Sequence, residues 1–203
     1  MKPIRLVGAR FREPVAARFG RDVPIVELRH NDLPVYLSEG YGGKPIHWFP
    51  PHRFFALYHA GAQEEAVRRF QEWYAEQFAR YARVSSRKGG MHKGSLFRLA
   101  LSLHRDRGIP VDPGDPIWDD QTLHDAIRLR VEQRFGLLEA IRAHGYSPDG
   151  SSRIVGISRG REVFLTGGHH RAAALSVLGQ TILPEVITLP ALLFRLFQKV
   201  GAL

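Results

Sequence analysis

Two histidines and an arginine stand directly behind two glycines in the run Val163-Phe164-Leu165-Thr166-Gly167-Gly168-His169-His170-Arg171-Ala172-Ala173-Ala174-Leu175. A β-branched and aromatic stretch stops at the glycines, and a run of strong helix formers begins at once. That order predicts a strand, a tight turn and a helix whose first backbone N–H groups have no intrahelical partner. A helix N-terminus carries partial positive charge, and glycine lets an anion approach the backbone closely. Thr166, Gly167, Gly168, His169, His170 and Arg171 are therefore the candidate phosphate-binding residues. Neighbouring histidines on a helix point about 100° apart, whereas metal-binding pairs sit four residues apart, so no metal is assigned to them. In the alternative reading the pair is structural, one imidazole closing the helix start and the other facing solvent. A bound phosphate dianion would draw a histidine near its usual pKa of about 6.5 toward the charged form, so affinity is expected to rise as pH falls through that range.

A second cationic stretch, residues 85–95, carries Arg87, Lys88, His92 and Lys93 among three glycines and three serines, ahead of another helical run. Such a composition suits a second phosphate-contacting loop, and it also suits a flexible basic connector. The Walker A spacing is absent. Phosphoryl transfer requires charge neutralisation, alignment and a carboxylate near the acceptor hydroxyl. Asp119, Asp120, Asp125 and Glu132 are the candidate carboxylates, each with an alternative reading as a helix cap or solvated charge. His170 is a further catalytic candidate.

The elements that must position these groups follow from periodicity. Strands are expected at 24–28 and 31–37, limited to edges or short pairs by their prolines, with a turn at 39–45. Residues 63–84 form a helix in which Val67, Phe70, Tyr74, Phe78 and Tyr81 recur every three or four positions, as a core stripe or as a base-stacking row. Residues 108–120 are a proline- and aspartate-rich turn region. A second helix covers 123–144, ended by Gly145, and 154–165 reads as a β-hairpin leading into the glycines. The tail 191–200 is an amphipathic helix suited to packing, dimerisation or a membrane surface. Tyr41, His47, Trp48, Trp73 and Tyr74 are candidates for stacking on a sugar, or for the core.

The segment Gly168-His169-His170-Arg171-Ala172-Ala173 resembles the nucleotide-binding motif of the ParB/sulfiredoxin-like superfamily. It follows a hairpin strand and precedes Leu178-Gly179-Gln180-Thr181-Ile182-Leu183-Pro184-Glu185-Val186, and the helix ending His144-Gly145 extends the resemblance to roughly residues 109–188. The resemblance implies an α/β (α+β) fold with a mixed sheet and flanking helices. It places a nucleotide-binding core at 108–203 and an N-terminal extension at 1–107, the latter an acceptor pocket or partner surface. The superfamily includes free-serine kinases whose motif resembles Asp-Gly-His-His-Arg, and Gly167 stands where their aspartate does. The implied activity is a kinase that uses ATP or ADP with Mg2+ on a small hydroxylated acceptor such as an amino acid or sugar. The alternative is a nucleotide-dependent regulatory or nucleic-acid-binding ParB-like module without catalysis. In ParB itself the motif resembles Gly-Glu-Arg-Arg, and a DNA-reading domain follows it. Here histidines replace the Glu and the first Arg, and no room for that domain is expected downstream. A nuclease reading lacks an acidic or metal-ligating constellation of recognisable spacing.

Composition narrows the classes. The 203 residues, 44% apolar and 24% charged, suit a globular chain that buries about 70% of its unfolded surface. With no cysteine there are no disulfides, thiolate metal sites or cysteine nucleophiles, and sulfiredoxin chemistry is excluded because His169 occupies its cysteine position. The formal charge of +9 suits nucleic acid, an anionic membrane or a phosphorylated ligand, charge alone does not choose among them, and arginine-rich chains also carry such a balance without binding DNA. No apolar run is long enough to span a membrane and the first residues lack a signal-peptide core, so a cytoplasmic protein, with a homodimer among its expected states, is the reading.

Overall fold

The computed structural model describes Val15 and residues 17–30, 42–85, 120–148 and 153–199, with the side chains at 78–85, Asp120, Thr122 and 197–199 outside that description. Its elements run β1 (Gly20–Pro24), a 3-10 turn (Ile25–Glu27), β2 (Leu28–His30), a second 3-10 turn (Ile46–Trp48), α1 (Pro50–His59), α2 (Gln63–Ser85), α3 (Asp120–His144), β3 (Val155–Arg159), β4 (Glu162–Gly167), α4 (His169–Val177), β5 (Ile182–Leu189) and α5 (Ala191–Lys199). The fold is α/β. The chain divides into two compact units, Met1–Ala56 with Leu137–Leu203, and Leu57–Gly136.

The first unit is built on a five-stranded mixed sheet in the order β1-β5-β3-β4-β2. β1 is antiparallel to β5, β5 parallel to β3, β3 antiparallel to β4, and β4 parallel to β2. The two edge strands are consecutive in sequence, joined only by Ile25–Glu27. In a flat sheet the edges would lie four strand spacings apart, about 19 Å, while four residue steps reach at most about 14 Å even when extended. The sheet must therefore curl until its edges approach each other. This corrects the single strand expected at 24–28: the apolar run Ile25-Val26-Glu27-Leu28 is broken by a 3-10 turn, because the chain crosses there from one edge to the other. The Ile25 N–H is held by the Thr181 carbonyl at 2.9 Å, which anchors the crossing to the start of β5. The strand expected at 31–37 lies outside the described residues.

The hairpin β3–β4 closes on Arg159↔Glu162, and its loop opens with Gly160 at φ 64°, the left-handed first position that a type II′ turn requires. Val23, Leu28, Ile154, Val163, Leu165, Leu183, Val186, Ile187 and Leu189 are buried along the strands, with Ala172, Ala173, Ala174 and Leu175 covering them from α4. α4 ends in a Schellman motif, with Gly179 left-handed, Gln180 N–H bonded to the Leu175 carbonyl at 3.0 Å and Gly179 N–H to the Ser176 carbonyl at 3.2 Å.

The described residues of the second unit are mainly helical, and they identify the aromatic stripe of α2 as core. Phe70 is fully buried, parallel to Tyr74 at 5.0 Å and edge-on to Phe135 of α3 at 5.6 Å, while Tyr58 stacks on Phe135 at 4.3 Å. Buried Tyr74 spends its hydroxyl as acceptor for Arg134 Nε at 3.2 Å. Trp73 leans on both Phe70 and Tyr74. Phe78 and Tyr81 fall outside the side chains described.

Candidate functional site

β2 and β4 run parallel with Leu28↔Val163 and His30↔Leu165 in register, so both deliver their C-terminal ends to the same place. β4 ends at Gly167, Gly168 turns the chain, and α4 begins at His169. Gly168 has φ 80° and ψ 15°, and a Cβ there would lie 2.9 Å from Ile154 Cγ1 and 3.0 Å from its Cα. Left-handed backbone and close packing thus both require glycine. Gly167 is different: among the described residues a Cβ would meet nothing within 4 Å, so none of them closes the approach over it.

α4 has no side-chain N-cap and no acidic residue in its first turn. Its first N–H groups consequently lack the usual carboxylate or hydroxyl partner, and Arg171 adds a cation at the end of the helix dipole where cations are unfavourable. Among the described residues Arg171 makes no ion pair. An anion at this point would satisfy the N–H groups, the dipole and the guanidinium together. Thr166 takes no part in that arrangement through its hydroxyl, which donates to the Val155 carbonyl at 3.1 Å inside the hairpin.

The two histidines face different surroundings. His170 sits edge-on to Phe49, with ring centres 5.3 Å apart. His169 turns inward and lies nearly parallel to His30, 5.5 Å between ring centres and 11° between planes, with Phe49 against both rings. His30 is fully buried, and among the described residues neither of its ring nitrogens has a hydrogen-bond partner; His169 Nε2 is likewise shielded and unpaired among them. Each orphaned nitrogen costs about 1–3 kcal/mol of lost hydration. Burial pushes His30 down to about 4, offset in part by the Ile46 backbone, which stands close but outside hydrogen-bond geometry. Burial also pushes His169 to about 4, helped by His30 and opposed by the Leu165 backbone. The expectation that a histidine of this turn titrates near 6.5 is therefore corrected for His169, which is neutral in the free protein throughout the physiological range.

His52, near the start of α1, brings Nε2 to 3.2 Å from Ser176 Oγ, one face of α4 below His169. Burial lowers its pKa, as does the nearby His47. His30, Phe49, His52 and Ser176 were absent from the sequence reading. Two signals pointed to them: the parallel pairing of a Leu-Arg-His strand with β4, and the seven-residue spacing of His169 and Ser176 on a helix. Backbone bonds from His30 N–H to the Lys44 carbonyl at 2.9 Å and from Gly43 N–H to the His30 carbonyl at 2.8 Å fix the loop that carries Phe49 onto this face.

No protein-family model, no curated protein and no solved structure matches this chain. Glu132 belongs to the helical unit, exposed on α3 and paired with Arg128 at 3.2 Å. Asp125 accepts from Gln121 Nε2 at 3.1 Å. Asp120 opens α3 with its side chain undescribed, and Asp119, Arg87, Lys88 and Lys93 lie outside the described residues. Of the proposed sugar-stacking aromatics, Trp48 is 53% exposed with Lys44 Nζ 5.3 Å from its ring centre, and Tyr41 lies outside the described residues. Among the described residues, no helix is long and apolar enough to cross a membrane.

Proposed function

We propose that the N-terminus of α4 binds the phosphates of a nucleotide, ATP or ADP, and that the protein transfers a phosphoryl group to a small hydroxylated acceptor such as an amino acid or sugar. The observation that carries the reading is the start of α4 itself: an obligatory left-handed glycine, no acidic residue in the first turn and, among the described residues, no side-chain cap and no ion pair for Arg171. The resemblance of Gly168–Ala173 to the ParB/sulfiredoxin-like nucleotide motif supports the same ligand. In this reading the backbone N–H groups and Arg171 neutralise phosphate charge, and the open surface over Gly167 admits the ligand. Lined up at the C-terminal ends of two parallel strands, the site occupies the usual ligand position of α/β sheets.

Magnesium is the expected ion for such a reaction, and it prefers six oxygen ligands, usually one or two carboxylates plus phosphate. The acidic residues of the sheet are committed elsewhere. Glu162 pairs with Arg29 at 2.9 Å and Glu185 with Arg153 at 2.7 Å, while Asp22 accepts the Glu185 N–H at 3.1 Å. Among the described residues nothing at α4 fits magnesium.

Arg171→Ala tests the reading, with ADP affinity measured by calorimetry. Loss of a charge-assisted contact to phosphate, about 1.5–3 kcal/mol, lowers affinity ten-fold or more while thermal stability stays unchanged. Equal ADP binding by wild type and variant would refute the site.

A further inference from the structure

The misfit with magnesium leaves a fully buried imidazole, His30, and the shielded Nε2 of the partly buried His169 unexplained, and they have the chemistry of a different ion. We propose that His30 and His169 form a two-imidazole seat for a transition-metal dication of the Zn2+ or Co2+ class, whose other ligands are oxygens of the phosphate bound at α4. The inference rests on the phosphate reading for those remaining ligands.

Three observations carry it. First, His30 is fully buried with neither ring nitrogen bonded, and His169 Nε2 is shielded and unbonded, so the pair offers lone pairs that nothing in the described structure uses. Imidazole nitrogen is a preferred ligand of Zn2+ and Co2+ and a poor one of Mg2+. Second, the spacing suits a shared ion. A metal about 2.1 Å from a ring nitrogen lies about 3.2 Å from the ring centre, so centres 5.5 Å apart correspond to an angle at the metal of about 120°, between tetrahedral and trigonal. The rings lie 11° from parallel, so each must turn about its Cβ–Cγ bond to aim at the common point, and that torsion is broad in histidine. Third, the backbones of Ile46 and Leu165 stand close to the two rings, where turning of the rings would make them the outer partners that orient metal-bound histidines.

Among the described residues no group of three or more His, Asp or Glu gathers around an ion. A two-histidine seat is thus incomplete without exogenous oxygens, which couples metal and anion: each must strengthen the binding of the other. The seat lies beside the first turn of α4, since His169 is the first residue of that helix.

The test measures ADP affinity of the full chain in EDTA, in Mg2+ and in Co2+, together with Co2+ binding to the ADP-free protein by equilibrium dialysis. Wild type is compared with His30→Phe, His169→Phe and, as a surface control, His144→Phe. The expected result is ADP binding about ten-fold tighter in Co2+ than in EDTA or Mg2+, a gain retained in the control and lost in both site variants. ADP binding of equal strength in all three media overturns the metal seat and leaves the phosphate reading standing. Co2+ retained through His30 and His169 with no ADP binding in any medium overturns the phosphate reading, and with it the coupling, while the two-imidazole seat survives. Absence of Co2+ binding to the wild-type chain, with or without ADP, overturns the seat. Should a phenylalanine variant fail to fold, the contrast between Mg2+ and Co2+ in the wild-type chain decides the matter.

Discussion

Acid should destabilise the sheet unit through His30, and by a predictable amount. An imidazole free in the unfolded chain has a pKa of about 6.5, while burial holds His30 at about 4 in the folded protein. Below pH 6.5 the unfolded chain takes up a proton that the native state refuses, so stability falls with pH between 6.5 and 4, then levels off once both states are protonated. The full gap of about 2.5 pH units corresponds to about 3 kcal/mol, of which about 2 kcal/mol is lost between pH 7 and pH 5. His169, pushed in the same direction and coupled to His30, steepens the same window. His30→Leu removes the titrating ring and its two unbonded nitrogens together, at nearly conserved volume.

Urea unfolding of both proteins at pH 7, 6 and 5, followed by circular dichroism, measures the difference. Wild type is expected to lose about 2 kcal/mol more than His30→Leu on going from pH 7 to pH 5. The variant is expected to be at least as stable as wild type at pH 5, because leaving a polar ring unsatisfied is costlier than burying an aliphatic one. Parallel decline of the two proteins would refute the reasoning, for it would mean that His30 is protonated or hydrogen-bonded in the folded state. The histidine ring resonances give an independent check: a His30 midpoint near 6.5 in the native protein would refute it as well.

Two adjacent glycines should respond oppositely to alanine. Gly168→Ala is expected to cost about 2–4 kcal/mol, from left-handed strain plus contact with Ile154, and Gly167→Ala, with open space around its Cβ, under about 1 kcal/mol; thermal denaturation of the pair decides. Gly156→Ala places a methyl 2.5 Å from Val163 Cγ1 and 3.0 Å from the Phe164 carbonyl oxygen across the hairpin, and a loss of about 1–3 kcal/mol is expected in the same assay. Glu132→Gln breaks an exposed helical ion pair with Arg128 and should change stability by less than about 0.5 kcal/mol; any larger loss would show that Glu132 is doing more than holding that pair.

The turn at Gly167–Arg171 was legible because its signals are local. A strand that ends at glycine, a helix that starts directly behind it and the glycine after that helix are written in consecutive residues. The long helices were legible for the same reason: their apolar periods persist over more than twenty residues. His30 was not legible. It sits 139 positions before His169, and its burial depends on the curl of a sheet whose edges come from one short segment, a closure that no local pattern encodes. The same nonlocality reversed the chemistry assigned to His169. Read along the chain, it is one of two cations-in-waiting at a helix start; in the fold, His30 and Phe49 surround it and make it a neutral base. The consequence is a division of labour within one turn. Backbone N–H groups and Arg171 present positive charge, while the His30–His169 pair presents unprotonated nitrogen beside it. A phosphate alone can use only the first of these surfaces. A ligand that uses both must carry an electron-pair acceptor as well as an anion, and that requirement is what the comparison of EDTA, Mg2+ and Co2+ isolates.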